Sequence, residues 1–471
     1  MSPKKQPQSL NSLTIDVLSN RLIEVLSDDE GIYSSDIQKF MASSTSDGLQ
    51  SLLDKILGYV NLDANTRYNC LEVLLREDVK TLEVGIFPRF YYVKILDVIA
   101  QRGTGLQHLN LKGVWARDYP HLLTHLLLSL KFLKTLMIPH MADDRVIQAI
   151  ASLQHLVKLD ISGEACYSCT GIRLLKSASI RILDIGSFGK LNLCQDACSG
   201  YELVAEILEN LPNLNVLKTY SFTGHSLLLL YEKNSNFKTK LTYIHATDCD
   251  LNVFTAMTAT CPYLENVHVN CPREGVVARL GDVGRLLAVK ITKGEEVELK
   301  TFLRDSRSHL DTLKLNHSGG SLDLSELCES APYLSTLECY QMHLKFINPL
   351  TFFMCLKKVH ILYCDISDNV VKTLLSNAPF LRSITVGCPL EMTDGDMFRI
   401  LAECTLENLE ELLLNDARFL TVFSVELLAD NCPNLRLLGS LTGWEVTQEQ
   451  IDSLRVLLAL SNVDLTLWPQ T

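Results

Sequence analysis

Four cysteines are the residues best placed to do chemistry. Cys166 and Cys169 are three positions apart, and Cys194 and Cys198 are four apart. Paired thiolates at such spacings are the donors from which tetrahedral zinc sites are built. The same residues read equally well as ordinary thiols of a cysteine-rich chain, so zinc binding stays open here. Signatures of catalysis are missing. The chain has no glycine-rich phosphate loop, no HExxH helix, no nucleophile elbow and no paired acidic motif. A non-catalytic protein without a cofactor is expected.

Composition narrows the class further. With 55 acidic against 43 basic residues, the formal charge is −12, the wrong sign for a nucleic-acid footprint. The 15 cysteines are odd in number and irregularly spaced. The opening residues MSPKKQPQSL lack the apolar core of a secretory signal. Reduced thiols in a cytoplasmic or nuclear protein are expected. Apolar runs such as 122–130 are far too short to span a membrane, so no membrane association is expected either.

The elements that must position any site come from a repeat. A six-residue frame, apolar at positions one, four and six, opens at Val79, Leu106, Leu133, Leu156, Ile180, Leu214, Leu241 and Leu264. It opens again at Leu286, Leu310, Leu334, Leu356, Leu381, Leu409, Leu435 and Leu460. Steps between the sixteen copies run from 22 to 34 residues. Alternation at positions four and six is the signature of a short strand with one buried face. A helical stretch follows each strand, as in Val370, Val371, Leu374 and Leu375. Five of these stretches are closed by proline, at Pro212, Pro262, Pro332, Pro379 and Pro433, a residue that cannot continue a helix. One strand and one helix cannot bury their own apolar faces, but stacked copies can.

The LxxLxL frame, the Cys-Pro helix ends at 261–262 and 432–433, and the variable step resemble leucine-rich repeats of the cysteine-containing subtype. The resemblance implies an α/β leucine-rich-repeat solenoid, a horseshoe of about sixteen strand–helix repeats over 77–471. Residues 9–76 read as an N-terminal α-helical cap or adaptor-binding region, and residues 1–8 as a disordered tail. It further implies a protein-binding scaffold of the kind found in substrate receptors of cullin–RING ubiquitin ligases. A scaffold or inhibitor with no ubiquitin link, and a regulatory subunit with a structural zinc, are the alternatives.

Within each frame, positions three, five and seven point away from the core. Position five reads Lys218, His245, His268, Lys290 and Lys314 in successive copies, flanked by Tyr220, Tyr243 and Tyr340. A cationic stripe with tyrosines suits an acidic protein target. Two N-terminal stretches are similar to adaptor-binding boxes. Ser12 and Leu13, with Val17 and Leu22, resemble an elongin-binding box with Val17 where that family has Cys. Leu53, Ile56 and Leu57 resemble the start of an F-box, without its Pro and Trp. An elongin or a Skp1-type adaptor is the partner that these resemblances imply.

Overall fold

The computed structural model describes residues 2–27, 37, 39–41, 43–163, 167–186, 200–219, 222–305, 309–316 and 320–469. These form two compact units. The N-terminal unit holds 8–245 with 259–262, and the C-terminal unit holds 1–7, 246–258 and 263–471.

The N-terminal unit opens with the helices α1 (Leu10–Leu26), α2 (Ser46–Leu57) and α3 (Ala64–Leu74). Each start is fixed by a side chain that accepts an otherwise unpaired backbone N–H: Ser9 for α1, Thr45 for α2 and Asp63 for α3. Among the described residues, short strands follow: β1 (Thr81–Glu83), β2 (His108–Asn110), β3 (Thr135–Met137), β4 (Lys158–Asp160), β5 (Ile182–Gly186), β6 (Val216–Thr219) and β7 (Tyr243–Thr247), whose last two residues are counted with the C-terminal unit. Neighbours pair in parallel, with Leu82, Leu109, Leu136, Leu159, Leu183 and Leu217 in one buried row. Parallel pairing requires a crossover between strands, which the intervening helices supply.

The first strand of such a ladder has a bare edge. Gln50 of α2 covers it. Its Oε1 accepts from the backbone N–H groups of Lys80 (3.1 Å) and Thr81 (3.0 Å), while its Nε2 donates to the Thr81 carbonyl (2.8 Å). One amide thus takes the place of a missing neighbouring strand. Gln50→Ala removes all three bonds and is expected to cost about 1–3 kcal/mol. Hydrogen exchange at Lys80 and Thr81 should accelerate well before the rest of the unit.

Among the described residues, the C-terminal unit carries nine strands of the same kind: β8 (Asn266–Asn270), β9 (Ala288–Thr292), β10 (Thr312–Asn316), then β12 (Thr336–Tyr340), β14 (Lys358–Leu362), β16 (Ser383–Pro389), β17 (Glu411–Thr421), β18 (Leu437–Gly439) and β20 (Thr466–Leu467). Between them, β11 (Ser321–Asp323), β13 (His343–Lys345) and β15 (Asp365–Ile366) form a second small parallel sheet. The two-residue strand β19 (Trp444–Glu445) pairs with the far end of β17. Leu313 and Leu315 are 0% and 1% exposed, and their counterparts in β12, β14 and β16 are buried likewise. Each unit is a leucine-rich-repeat solenoid.

A left-handed residue recurs at position eight of the frame. Asp248, Cys271, Lys293, Gln341 and Tyr363 all have φ between 49° and 58°. The backbone N–H of Cys271 donates to the Thr292 carbonyl at 2.9 Å, and that of Lys293 to the Asn316 carbonyl at 3.0 Å. The turn therefore extends the ladder by one bond before the chain leaves the sheet.

Three expectations change. The last frame does not begin at Leu460, which ends the helix Gln448–Leu460 and is 80% exposed. Its strand lies four residues later, where Thr466 and Leu467 pair with Leu437 and Leu438. The two shortest repeats lack their α-helix. Between β8 and β9 there is a single 3₁₀ turn (Ala278–Asp282), and between β13 and β14 an irregular loop. The tail, read from composition as disordered, lies against the last repeats. Ser2 N–H donates to the Ala429 carbonyl (2.6 Å), Lys5 N–H to the Asn462 carbonyl (3.0 Å) and Asp464 N–H to the Pro3 carbonyl (2.6 Å). Lys4 and Val463 form an antiparallel bridge.

Candidate protein-binding face

In the C-terminal unit the register brings His268, Lys290, Lys314, Glu338, His360 and Thr385 side by side at position five of six successive strands. Strand spacing of about 4.8 Å places His268 roughly 10 Å from Lys314. Position four and six residues on either side are buried, so period two alone turns this row outward. Lys314 Nζ lies 2.8 Å from Glu338 Oε1, which draws part of its charge away. Lys290 has no ion-pair partner among the described residues and sits between His268 and Lys314. His268 Nε2 is 3.2 Å from Thr292 Oγ1. Burial first, and Lys358 second, hold the His360 imidazole below its ordinary pKa.

Tyr340 lies at position seven beside this row, and its ring meets that of Tyr363 edge-on at 5.1 Å. Tyr363 is 68% exposed and was not among the residues picked from the sequence. Its signal was available, since it fills the left-handed position eight just before Cys364.

The N-terminal unit divides the other candidates. Lys218 faces Asp184 across β5 and β6, with 3.8 Å between Nζ and Oδ2. Asp184 in turn lies beside Asp160, whose Oδ2 is 3.2 Å from Lys112 Nζ. Burial, with the neighbouring Asp160 adding to it, pushes the Asp184 carboxyl above its usual range. Asp160 and Asp184 also close their own turns, accepting from the backbone N–H groups of Ser162 (3.1 Å) and Gly186 (3.1 Å). His245 is only 8% exposed, which removes it from a stripe open to a partner, and Tyr243 is half-buried opposite Val216. Tyr220 lies outside the described residues, as do Cys166, Cys194 and Cys198. Cys169 is a buried thiol at the start of a short helix.

The two adaptor-box stretches separate by burial. Leu53 and Ile56 are 0% exposed and Leu57 is 9%, all packed inside the three-helix region. The F-box-like stretch is core, and a partner could reach it only by unfolding α2. Leu22, from the other stretch, is also buried at 5%. Leu10 (82%), Leu13 (46%) and Val17 (62%) instead line one exposed stripe of α1 at helical spacing. Lys55 Nζ, 2.5 Å from Asp16 Oδ1, ties α1 to α2 beside that stripe.

No family model matches the chain, and no curated protein matches it. Solved structures do. An internalin from Listeria monocytogenes is 16% identical, with 82% of this chain and 96% of that chain covered and a TM-score of 0.42. The Rad7 and Elc1 complex of yeast is 14% identical, with 99% of both chains covered and a TM-score of 0.45. A leucine-rich-repeat protein of Leptospira interrogans is 14% identical, with 79% and 98% covered and a TM-score of 0.39.

Proposed function

We propose that this chain is a non-catalytic substrate receptor of a cullin–RING ubiquitin ligase. Its strand face, centred on Lys290 and Lys314, holds an acidic protein target. The α1 stripe of Leu10, Leu13 and Val17 holds an elongin-type adaptor. The observation that carries this reading is the exposure of that stripe. An apolar helical stripe left to solvent, beside the face on which Leu22 and Leu26 pack, is a form in which helices enter partner grooves. Burial of Leu53, Ile56 and Leu57 favours the elongin-type adaptor over the Skp1-type.

The test is a comparison of partners recovered from cells by mass spectrometry. The full chain is expected to retain an elongin-type adaptor, and Leu13→Asp with Val17→Asp to lose it with unchanged thermal unfolding. Point variants are needed because removing 1–76 would also strip Gln50 from the first strand and Ser2 from the last repeats. Lys290→Glu with Lys314→Glu should release the target and keep the adaptor, since both side chains leave the sheet on its polar face. Recovery of no adaptor with the full chain sinks the receptor reading and leaves a plain scaffold.

A further inference from the structure

A second binding site lies away from that face, on the edge where the strands begin. The residue immediately before the first apolar position of four successive frames is Tyr263, Arg285, His309 and Tyr333. Register between β8, β9, β10 and β12 makes these four equivalent and therefore neighbours. They form two stacked pairs. The Arg285 guanidinium lies 5.6 Å from the centroid of the Tyr263 ring, and the His309 ring stacks on Tyr333 at 6.1 Å. Tyr263 is 47% exposed and Tyr333 58%. His309 is held at φ 50°, a left-handed backbone that a residue other than glycine rarely adopts.

Between the pairs lies a pocket of about 460 Å³. The repeat from Leu264 to Arg285 has one 3₁₀ turn where its neighbours have a helix, and Gly281 in that turn, with Val283 and Gly284 just after it, lines the pocket. Leu286, Leu310 and the fully buried Phe302 supply an apolar floor. Glu265 and Arg285 both line the pocket, and among the described residues neither has an ion-pair partner, each other included. Opposite charges that share a pocket without pairing are both available to a ligand.

We infer that this edge binds a short extended peptide segment in which an apolar or aromatic side chain stands between an acidic and a basic residue. The apolar side chain enters the pocket, the acid meets Arg285 and the base meets Glu265. Tyr263 and Tyr333 flank the peptide. A small molecule filling the pocket would meet Arg285 and His309 but leave Tyr263 and Tyr333, which do not line it, unused. Four strands span roughly 15 Å, the length of about four to five extended residues. This site does not depend on the strand face or on α1.

Gly284 gives a clean test. Gly284 lines the pocket, and a Cβ built there meets nothing within 4 Å, so Gly284→Trp adds an indole at the pocket with no clash at its Cβ. The probes are fluorescein-labelled, capped pentapeptides Glu-Ala-X-Ala-Lys and Lys-Ala-X-Ala-Glu. X is Phe, Tyr, Trp, Leu, Ile or Met, with Gly as the blank, and binding to the full chain is read by anisotropy. At least one peptide is expected to bind saturably, and its Gly counterpart to bind much more weakly. Gly284→Trp should weaken it about tenfold or more, and Arg285→Glu about fivefold. Lys290→Glu should leave it unchanged. Thermal unfolding checks that Gly284→Trp is folded, and if it is not, Arg285→Glu decides. The inference is overturned if no peptide binds below about 1 mM. It is also overturned if binding survives Gly284→Trp in a folded protein, or if it is lost in Lys290→Glu instead.

Discussion

Ile56→Asp is expected to melt the N-terminal helices, whereas Val17→Asp leaves them folded. Ile56 is 0% exposed within the packed core of α1, α2 and α3. Truncating a buried Ile costs about 2–5 kcal/mol from the cavity alone, and an unpaired buried carboxylate adds several kcal/mol. Few local units have that much stability to lose. Val17, at 62% exposed, touches little, and a surface change of this kind stays within about 0.5 kcal/mol. Hydrogen exchange over residues 46–74 separates the two variants. Fast exchange in Ile56→Asp with protection kept in Val17→Asp is the expected pair of results. Protection surviving in Ile56→Asp would return the F-box-like stretch to the surface and reopen the choice of adaptor.

Asp394→Asn is the second large effect, and it depends on pH. The Asp394 carboxylate begins the helix Asp394–Glu403 and reaches into the next repeat. There it accepts from Thr421 N–H (3.0 Å), Thr421 Oγ1 (2.7 Å) and Ser424 Oγ (2.5 Å). Burial pushes this carboxyl up, but bonds from Ser424 and Thr421 outweigh it and hold the pKa below the ordinary value. An amide in its place keeps one acceptor oxygen, puts an NH2 against Thr421 Oγ1 where Oδ2 accepted, and removes the charge that strengthens all three bonds. Hydrogen bonds to a charged acceptor are worth about 1.5–3 kcal/mol each and do not add fully, so a loss of about 2–4 kcal/mol is expected. A carboxylate with a depressed folded pKa stabilises fully above its unfolded value of about 3.9. That stability disappears as pH falls through the lower folded value. The gap between wild type and variant should therefore be constant from about pH 5 to 8 and shrink progressively as pH falls below about 3.9 and through the folded value. Asp396 on the same helix is also depressed: Lys372 and Thr393 outweigh its burial, but this is common to both proteins and cancels. A gap that persists at low pH would mean the loss comes from packing.

What could be read directly from the chain was whatever depends on one repeat meeting another like itself. Leu310, Leu313 and Leu315 repeat in kind in every neighbour, so period two was enough to turn Lys290 and Lys314 outward. The reading weakened wherever a segment met something unlike itself. Leu53 and Val17 sit in equally leucine-rich stretches, and only the packing of α1 against α2 and α3 buries one and exposes the other. The frame at Leu460 was mistaken because the end of an apolar helix, with Leu457, Leu458 and Leu460, can mimic a strand frame. The pocket beside Gly284 did leave a trace. The segment from Pro272 to Gly284 contains three glycines in one of the shortest repeats, a composition poorly suited to the helix its neighbours have. Lys218 and His245 show the reverse case. Both matched the pattern, yet one is tied to Asp184 and the other is buried.

The contact between Ser2 and Ala429 joins residues 427 apart in sequence. During synthesis, repeats close one upon another as they emerge, because each needs only its neighbour. The opening residues cannot take part in that sequence. They are made first and find their place last, when 429–464 have left the ribosome. Until then the newest repeats lack the bridge that Lys4 makes to Val463. A growing chain thus differs from a finished one in a way that an antibody or protease directed at residues 2–5 would register.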